Sequence, residues 1–152
     1  MTLYFAYGSN LDPAQMDLRC PGHGFRGLAQ LVGHRLHFPL YSESTWKGAV
    51  ASLEAVPGAD VWGVLYDLTA DHVAALDRHE GLDRTPPRYR RADLVVDQDG
   101  ARVAAFTYLG LPDDVLVEPR PSRRYLDAII AGARARGLPP DYVAVLEGIS
   151  CC

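Results

Sequence analysis

Apolar positions along the chain fall into short runs whose period changes several times, and each change marks a new element. Leu3 to Tyr7 is an apolar, aromatic-rich run of strand length that stops at Gly8-Ser9-Asn10. A helix then starts with Asp12 as N-cap, Pro13 in the first helical position and Gln15 in the third, the pattern of a capping box. Leu11 and Met16 are spaced to staple that helix, and Pro21-Gly22 ends it. Apolar stretches next predict strands over 28–32, 35–40, 49–56 and 61–68, the last apolar nearly throughout, as in a strand buried on both faces. Thr69 caps a helix running through His79, with Val73 and Leu76 on one face and Gly81 at C′. Two more strands, 88–96 and 103–109, are joined by the turn Asp97-Gln98-Asp99-Gly100. The last third is helical: Ser122 caps a helix with Tyr125, Ile129 and Ala133 on one face, and Gly137 ends it. Pro139-Pro140 start a final short helix that carries Tyr142, Val145 and Leu146.

The order is strand, helix, many strands, helix, strands, helices, which lacks the regular alternation of a doubly wound sheet. It predicts an α+β (mixed) fold: a small mixed-strand β-barrel or strongly curled sheet with peripheral helices. Repeats, linkers and low-complexity tracts are missing from the sequence, and 152 residues suit one domain, taken as 1–150. Composition adds mostly exclusions. With 48% apolar and 22% charged residues the chain is globular rather than disordered, and its net charge of −4 argues against a nucleic-acid binder held by electrostatic attraction. No segment reaches the about 18 apolar residues of a membrane span, and Met1-Thr2-Leu3-Tyr4 lacks the features of a signal peptide. The cysteines, Cys20, Cys151 and Cys152, have no metal-ligand spacing, so a reduced, cytoplasmic setting is expected and the terminal pair is read as solvent-exposed.

Five features invite a chemical reading. Gly22-His23-Gly24-Phe25-Arg26-Gly27 matches G-x-G-x-x-G, but a helix precedes it and a strand follows, the reverse of what a dinucleotide site needs. The histidines have no metal-ligand spacing, and His34 and His37, three apart on a strand, point to opposite faces. Ser9 sits in a strand-turn-helix setting, yet its surroundings are not the G-x-S-x-G of a nucleophile elbow, which leaves a serine hydrolase as a distant reading. The Gly8-Ser9-Asn10 turn entering a capped helix is either a plain connection or a nest of backbone N–H groups that binds a carboxylate. Glu80 lies in the last helical turn, where the macrodipole disfavours negative charge. It is either a solvated surface glutamate or, if buried, a general acid/base with a raised pKa.

Taken together, these segments resemble one family. Leu3-Tyr4-Phe5-Ala6-Tyr7-Gly8-Ser9-Asn10-Leu11 is similar to the signature loop of the gamma-glutamylcyclotransferases. Val61-Trp62-Gly63-Val64 followed by Leu76-Asp77-Arg78-His79-Glu80-Gly81 resembles their strand and catalytic-glutamate segment. Pro121-Ser122-Arg123-Arg124-Tyr125, Gly132-Ala133 and Gly137-Leu138-Pro139 resemble their C-terminal helix. The resemblance implies an enzyme, often dimeric, that releases 5-oxoproline from a gamma-glutamyl substrate without metal or organic cofactor. It implies Glu80 as the proton acceptor, with Tyr4, Ala6, Tyr7, Gly8, Ser9 and Asn10 shaping the substrate loop and Tyr125 offering a phenol. The proline-stiffened, doubly basic stretch Arg84-Thr85-Pro86-Pro87-Arg88 is expected beside the pocket. Three readings of the partner remain: a gamma-glutamyl amino acid or dipeptide, a gamma-glutamyl amine or protected biosynthetic intermediate, and a non-catalytic binding relative. No nucleic acid or membrane partner is expected.

Overall fold

The computed structural model describes residues 1–42, 45–111 and 120–151. Five strands close into a barrel in the order β1-β3-β2-β4-β5: β1 (Thr2–Ala6), β2 (Gly24–Ser42), β3 (Gly48–Leu68), β4 (Tyr89–Gln98) and β5 (Ala101–Gly110). Neighbours pair antiparallel except at the closure, where β1 meets β5 in parallel with Tyr4 opposite Phe106, so the barrel is mixed, as the element order predicts. A 3-10 turn (Ser9–Leu11) and α1 (Pro13–Arg19) follow β1, α2 (Ala70–His79) follows β3, and α3 (Arg123–Arg136) and α4 (Pro140–Glu147) complete the fold.

The four strand segments predicted between residues 28 and 68 are two long strands forming one hairpin. Pairing runs from Val32 opposite Asp60 to His34 opposite Ala55 with a register shift between them, and Gly33 and Gly58 take positive φ there. A bulge interrupts the period-2 pattern without ending the ladder, so alternation alone reads it as a boundary. The expected double burial of the later part of β3 is found: Val61, Val64, Leu65, Tyr66 and Leu68 are fully buried, with α2 and α3 both touching the strand. Gly63 lies where β1 presses closest, since a Cβ there would collide with Ala6 O and sit 2.8 Å from the Phe5 ring. The β4–β5 turn narrows to Asp99-Gly100, both at positive φ, as a two-residue hairpin with strand twist requires.

Helix termini follow their sequence signals with two differences. Asp12 caps α1 by accepting from Ala14 N, but Gln15 does not return to the cap and turns toward the preceding loop instead. In α4 the buried face is Tyr142, Val143 and Leu146, while Val145, on the other flank of the Tyr142–Leu146 stripe, is 63% exposed. Among the described residues no helix is long and apolar enough to cross a membrane. Cys151 is half-buried against the core rather than solvent-exposed; Cys152 lies outside the described residues.

Candidate active site

A cavity of about 450 Å³ opens where the end of β1, the 3-10 turn, the end of α2 and the start of α3 converge. Tyr4, Tyr7, Gly8, Ser9, Asn10, Glu80 and Tyr125 all line it. Ala6 does not: it is fully buried in the barrel wall, paired with Val64, so it shapes the loop only through its backbone.

Glu80 is the C-cap of α2, and its backbone is pinned. Gly81 takes φ 75°, Gly81 N donates to Arg78 O and Leu82 N donates to Asp77 O, which is a Schellman motif. A side chain at position 81 would have to adopt αL backbone, so glycine suits the position after Glu80. The carboxylate faces the cavity with only 16% of its side chain exposed. Burial raises its pKa from 4.5 to about 7, against opposing pulls from the Arg19 charge and a hydrogen bond from Asn10; Asp77 pushes it further up. Loss of solvent is thus the main cause, and the surface-glutamate reading falls away.

The loop after β1 is organised by Asn10, which is 3% exposed. Its Nδ2 donates to Tyr4 Oη at 2.9 Å and Glu80 Oε1 at 3.3 Å; its Oδ1 accepts from Gln15 Nε2 and Arg19 Nη1, both at 2.8 Å. Its backbone oxygen accepts from the Tyr66 hydroxyl at 2.6 Å. The first bond of the 3-10 turn runs from Leu11 N to Gly8 O, which leaves the amides of Ser9 and Asn10 without an acceptor inside the turn. These amides, rather than the N-terminus of α1, make the candidate anion nest, since Asp12 already caps that helix. Ser9 Oγ receives Gln15 Nε2 at 2.9 Å, a bond from an amide that cannot act as base, which removes the support for a nucleophilic serine.

Aromatic hydroxyls build the remaining wall. Tyr125 accepts from Ala51 N at 3.0 Å and would lie 3.5 Å from a Cβ on Gly8, so its phenolic hydrogen is free to turn into the cavity. Tyr89 donates to Ala51 O at 3.2 Å, Tyr7 to Tyr108 O at 2.5 Å, and Tyr108 to Asp77 Oδ1 at 2.6 Å. Burial pushes the hydroxyls of Tyr4, Tyr7, Tyr89, Tyr108 and Tyr125 up, so they serve as neutral donors, not as bases. Arg84 and Arg88 do line the cavity, as expected, and Arg88 is held by a 2.5 Å bond to Tyr41 O. His79, its pKa lowered by burial, Arg19 and Arg78, adds no charge near neutral pH.

Sequence reading missed Arg19, Gln15, Asp77, Tyr89 and Tyr108. Arg19 looks like a cation complementing the end of α1, Gln15 like half of a capping box, and both tyrosines like strand aromatics. Only Asp77, three residues before Glu80, carried a signal. The dismissed glycine motif at 22–27 is indeed preceded by α1 and continues into β2. His34 bonds its neighbour's carbonyl, Val32 O, while His37 reaches Glu54, so the two do not converge. Among the described residues no three His, Cys, Asp or Glu side chains gather as a metal site.

The model of the AIG2-like family matches residues 60–146. Gamma-glutamylcyclotransferase of Bos taurus is 34% identical over 97% of this chain and 78% of its own length. The chain belongs to the gamma-glutamylcyclotransferase family. The Homo sapiens gamma-glutamylcyclotransferase is 32% identical over the same shares. A solved structure of a gamma-glutamyl cyclotransferase superposes with TM-score 0.90 at 31% identity, covering 99% of this chain and 89% of that one. The barrel, its closure and its surrounding helices are therefore the family's fold.

Proposed function

We propose that this chain is a gamma-glutamylcyclotransferase in which Glu80 transfers the proton and the Tyr4–Asn10 loop with Tyr125 holds the substrate. The observation that carries the reading is a carboxyl at about 7, buried in the cavity beside two donor-rich elements. The substrate's α-amine attacks its own γ-carbonyl, so the nucleophile is tethered and no water needs activation. Glu80 accepts a proton from the α-ammonium; the new N–C bond closes the five-membered ring as a tetrahedral oxyanion. That intermediate collapses by breaking the amide C–N bond as Glu80 returns its proton to the departing nitrogen. The ring nitrogen gives up its second extra proton through the same carboxylate to the freed amine, which leaves as an ammonium. A carboxyl near the working pH suits both halves of this exchange. The Ser9 and Asn10 amides and the Tyr125 hydroxyl are donors for the oxyanion or the substrate carboxylate.

Arg84 and Arg88 favour a leaving group that carries a carboxylate. With Arg19 they bring three cations to the cavity beside the half-ionised Glu80 among the described residues, in a chain whose net charge is −4. A gamma-glutamyl amino acid brings two carboxylates to such a cavity and a gamma-glutamyl amine only one. A non-catalytic role gives no reason to bury Glu80 at a helix end. The proposal extends to one functional unit over residues 1–150, acting in the cytoplasm, in line with the cysteine pattern, and as a cofactor-independent homodimer, as the family resemblance implies; sedimentation velocity and activity after chelation check the last two points. The test of the reaction is a panel of gamma-glutamyl amino acids and amines, with 5-oxoproline and freed amine both quantified. Equal yields of the two, highest for amino-acid leaving groups, are expected. Free glutamate in place of 5-oxoproline would mean hydrolysis, and no product from any member would mean a binding protein.

A further inference from the structure

Arg19 belongs to no motif in the sequence, and the proton transfers above give it no task. Its surroundings do. Asn10 presents a carbonyl oxygen at one end of its amide and an NH2 group at the other, and which end faces Glu80 decides whether the carboxylate meets a donor or a lone pair. One end lies 2.8 Å from both Gln15 Nε2 and Arg19 Nη1. A guanidinium has no lone pair to offer, so that end must be the oxygen. The other end then carries both N–H bonds, which run to Tyr4 and Glu80. Gln15 alone would not force this choice, because its own amide can turn and present oxygen instead. Arg19 is the member of the group that cannot turn.

We propose that Arg19 is a positioning residue for the reaction, holding the Asn10 amide with Nδ2 toward Glu80 and Tyr4 while its own charge stands 4.0 Å from the carboxylate. The inference rests on the role assigned to Glu80. Of the charged neighbours of that carboxylate, Arg19 on α1 acts on it most strongly and favours its ionised form, while Asp77 on α2 opposes ionisation. Arg84 and Arg88 line the same cavity from the segment after α2, as does His79, whose pKa is lowered chiefly by burial. The phenols of Tyr4, Tyr89, Tyr108 and Tyr125, from β1, β4, β5 and α3, stay neutral. Removing Arg19 therefore takes away both the orientation of Asn10 and the nearest compensating charge.

The test compares Arg19→Gln and Arg19→Lys, with Arg19→Met as a second charge-free form should the glutamine variant not fold. The Glu80 carboxyl is titrated by 13C NMR, and kcat and KM for a gamma-glutamyl dipeptide are measured from pH 5 to 9. The charge-free forms should move the Glu80 midpoint upward from about 7 and carry the acid limb of kcat/KM with it. Their kcat should fall about tenfold to a hundredfold, the scale of a misplaced catalytic group, with KM little changed. Lysine has charge and donors but no lone pair, so Arg19→Lys should keep the midpoint and recover most of kcat. An unmoved Glu80 midpoint in the charge-free forms, or equal losses in the lysine and glutamine forms, overturns the proposal. The NMR titration needs no turnover, so failure of the reaction assigned to Glu80 and failure of the role given to Arg19 are separately visible.

Discussion

Replacing Glu80 by glutamine should make the protein more stable, by an amount that depends on pH. The carboxyl has its pKa raised from 4.5 to about 7 in the fold. Below pH 4.5 it is protonated in both folded and unfolded chains and contributes no pH-dependent term. As pH rises through the interval, the unfolded chain releases the proton first, and stability is lost until the folded carboxyl also ionises. At about 1.4 kcal/mol per pKa unit, the full interval is worth about 3 kcal/mol, nearly all of it lost by pH 8 and only about 1 kcal/mol at pH 5. Glutamine has no proton to lose, and its Oε1 can still accept from Asn10 Nδ2. Glu80→Gln should therefore exceed the wild type by about 3 kcal/mol at pH 8 and by about 1 kcal/mol at pH 5 in urea unfolding. In a thermal melt at pH 8 that gain is about 6–12 °C for a chain of this size. Other groups titrate equally in both proteins and cancel in the difference. An advantage that does not grow between pH 5 and pH 8 would refute the desolvated carboxylate.

Tyr125→Phe strips Ala51 N of its buried acceptor and should cost about 1–3 kcal/mol in urea unfolding, with kcat lowered as the cavity loses a donor. Arg88→Ala should raise KM for gamma-glutamyl amino acids about fivefold or more and leave gamma-glutamyl amines unaffected, read from initial rates, if a leaving-group carboxylate is worth about 1 kcal/mol there. Gly63→Ala drives a methyl group into Ala6 O and the Phe5 ring, and should cost at least about 1–3 kcal/mol or block folding, seen by circular dichroism.

Punctuation made much of this fold legible. Thr69, Ser122, Gly81 and Gly137 cap their helices as their residue types predict, because capping is decided within a few residues. The long hairpin was not legible as one unit: the bulge at Gly33 and Gly58 depends on pairing partners far apart in sequence. The same limit divides the site. Glu80 and the Tyr7–Asn10 loop lie on short motifs, and the family resemblance joins them. That Asn10 ties the two together through a 3.3 Å bond spanning 70 residues, with Arg19 and Gln15 behind it, follows only from the closed barrel. Gln15 shows the cost of local reasoning: capping and loop support both call for a side-chain amide at that position, and tertiary contacts chose the loop.

The central claim, that Glu80 moves the proton in 5-oxoproline formation, is tested most directly by single-turnover reaction of Glu80→Gln with a gamma-glutamyl dipeptide. Binding is followed by isothermal titration and product by mass. Substrate should bind within a few-fold of the wild-type Kd, and no 5-oxoproline should form. Release of 5-oxoproline at a rate near that of the wild type would contradict it.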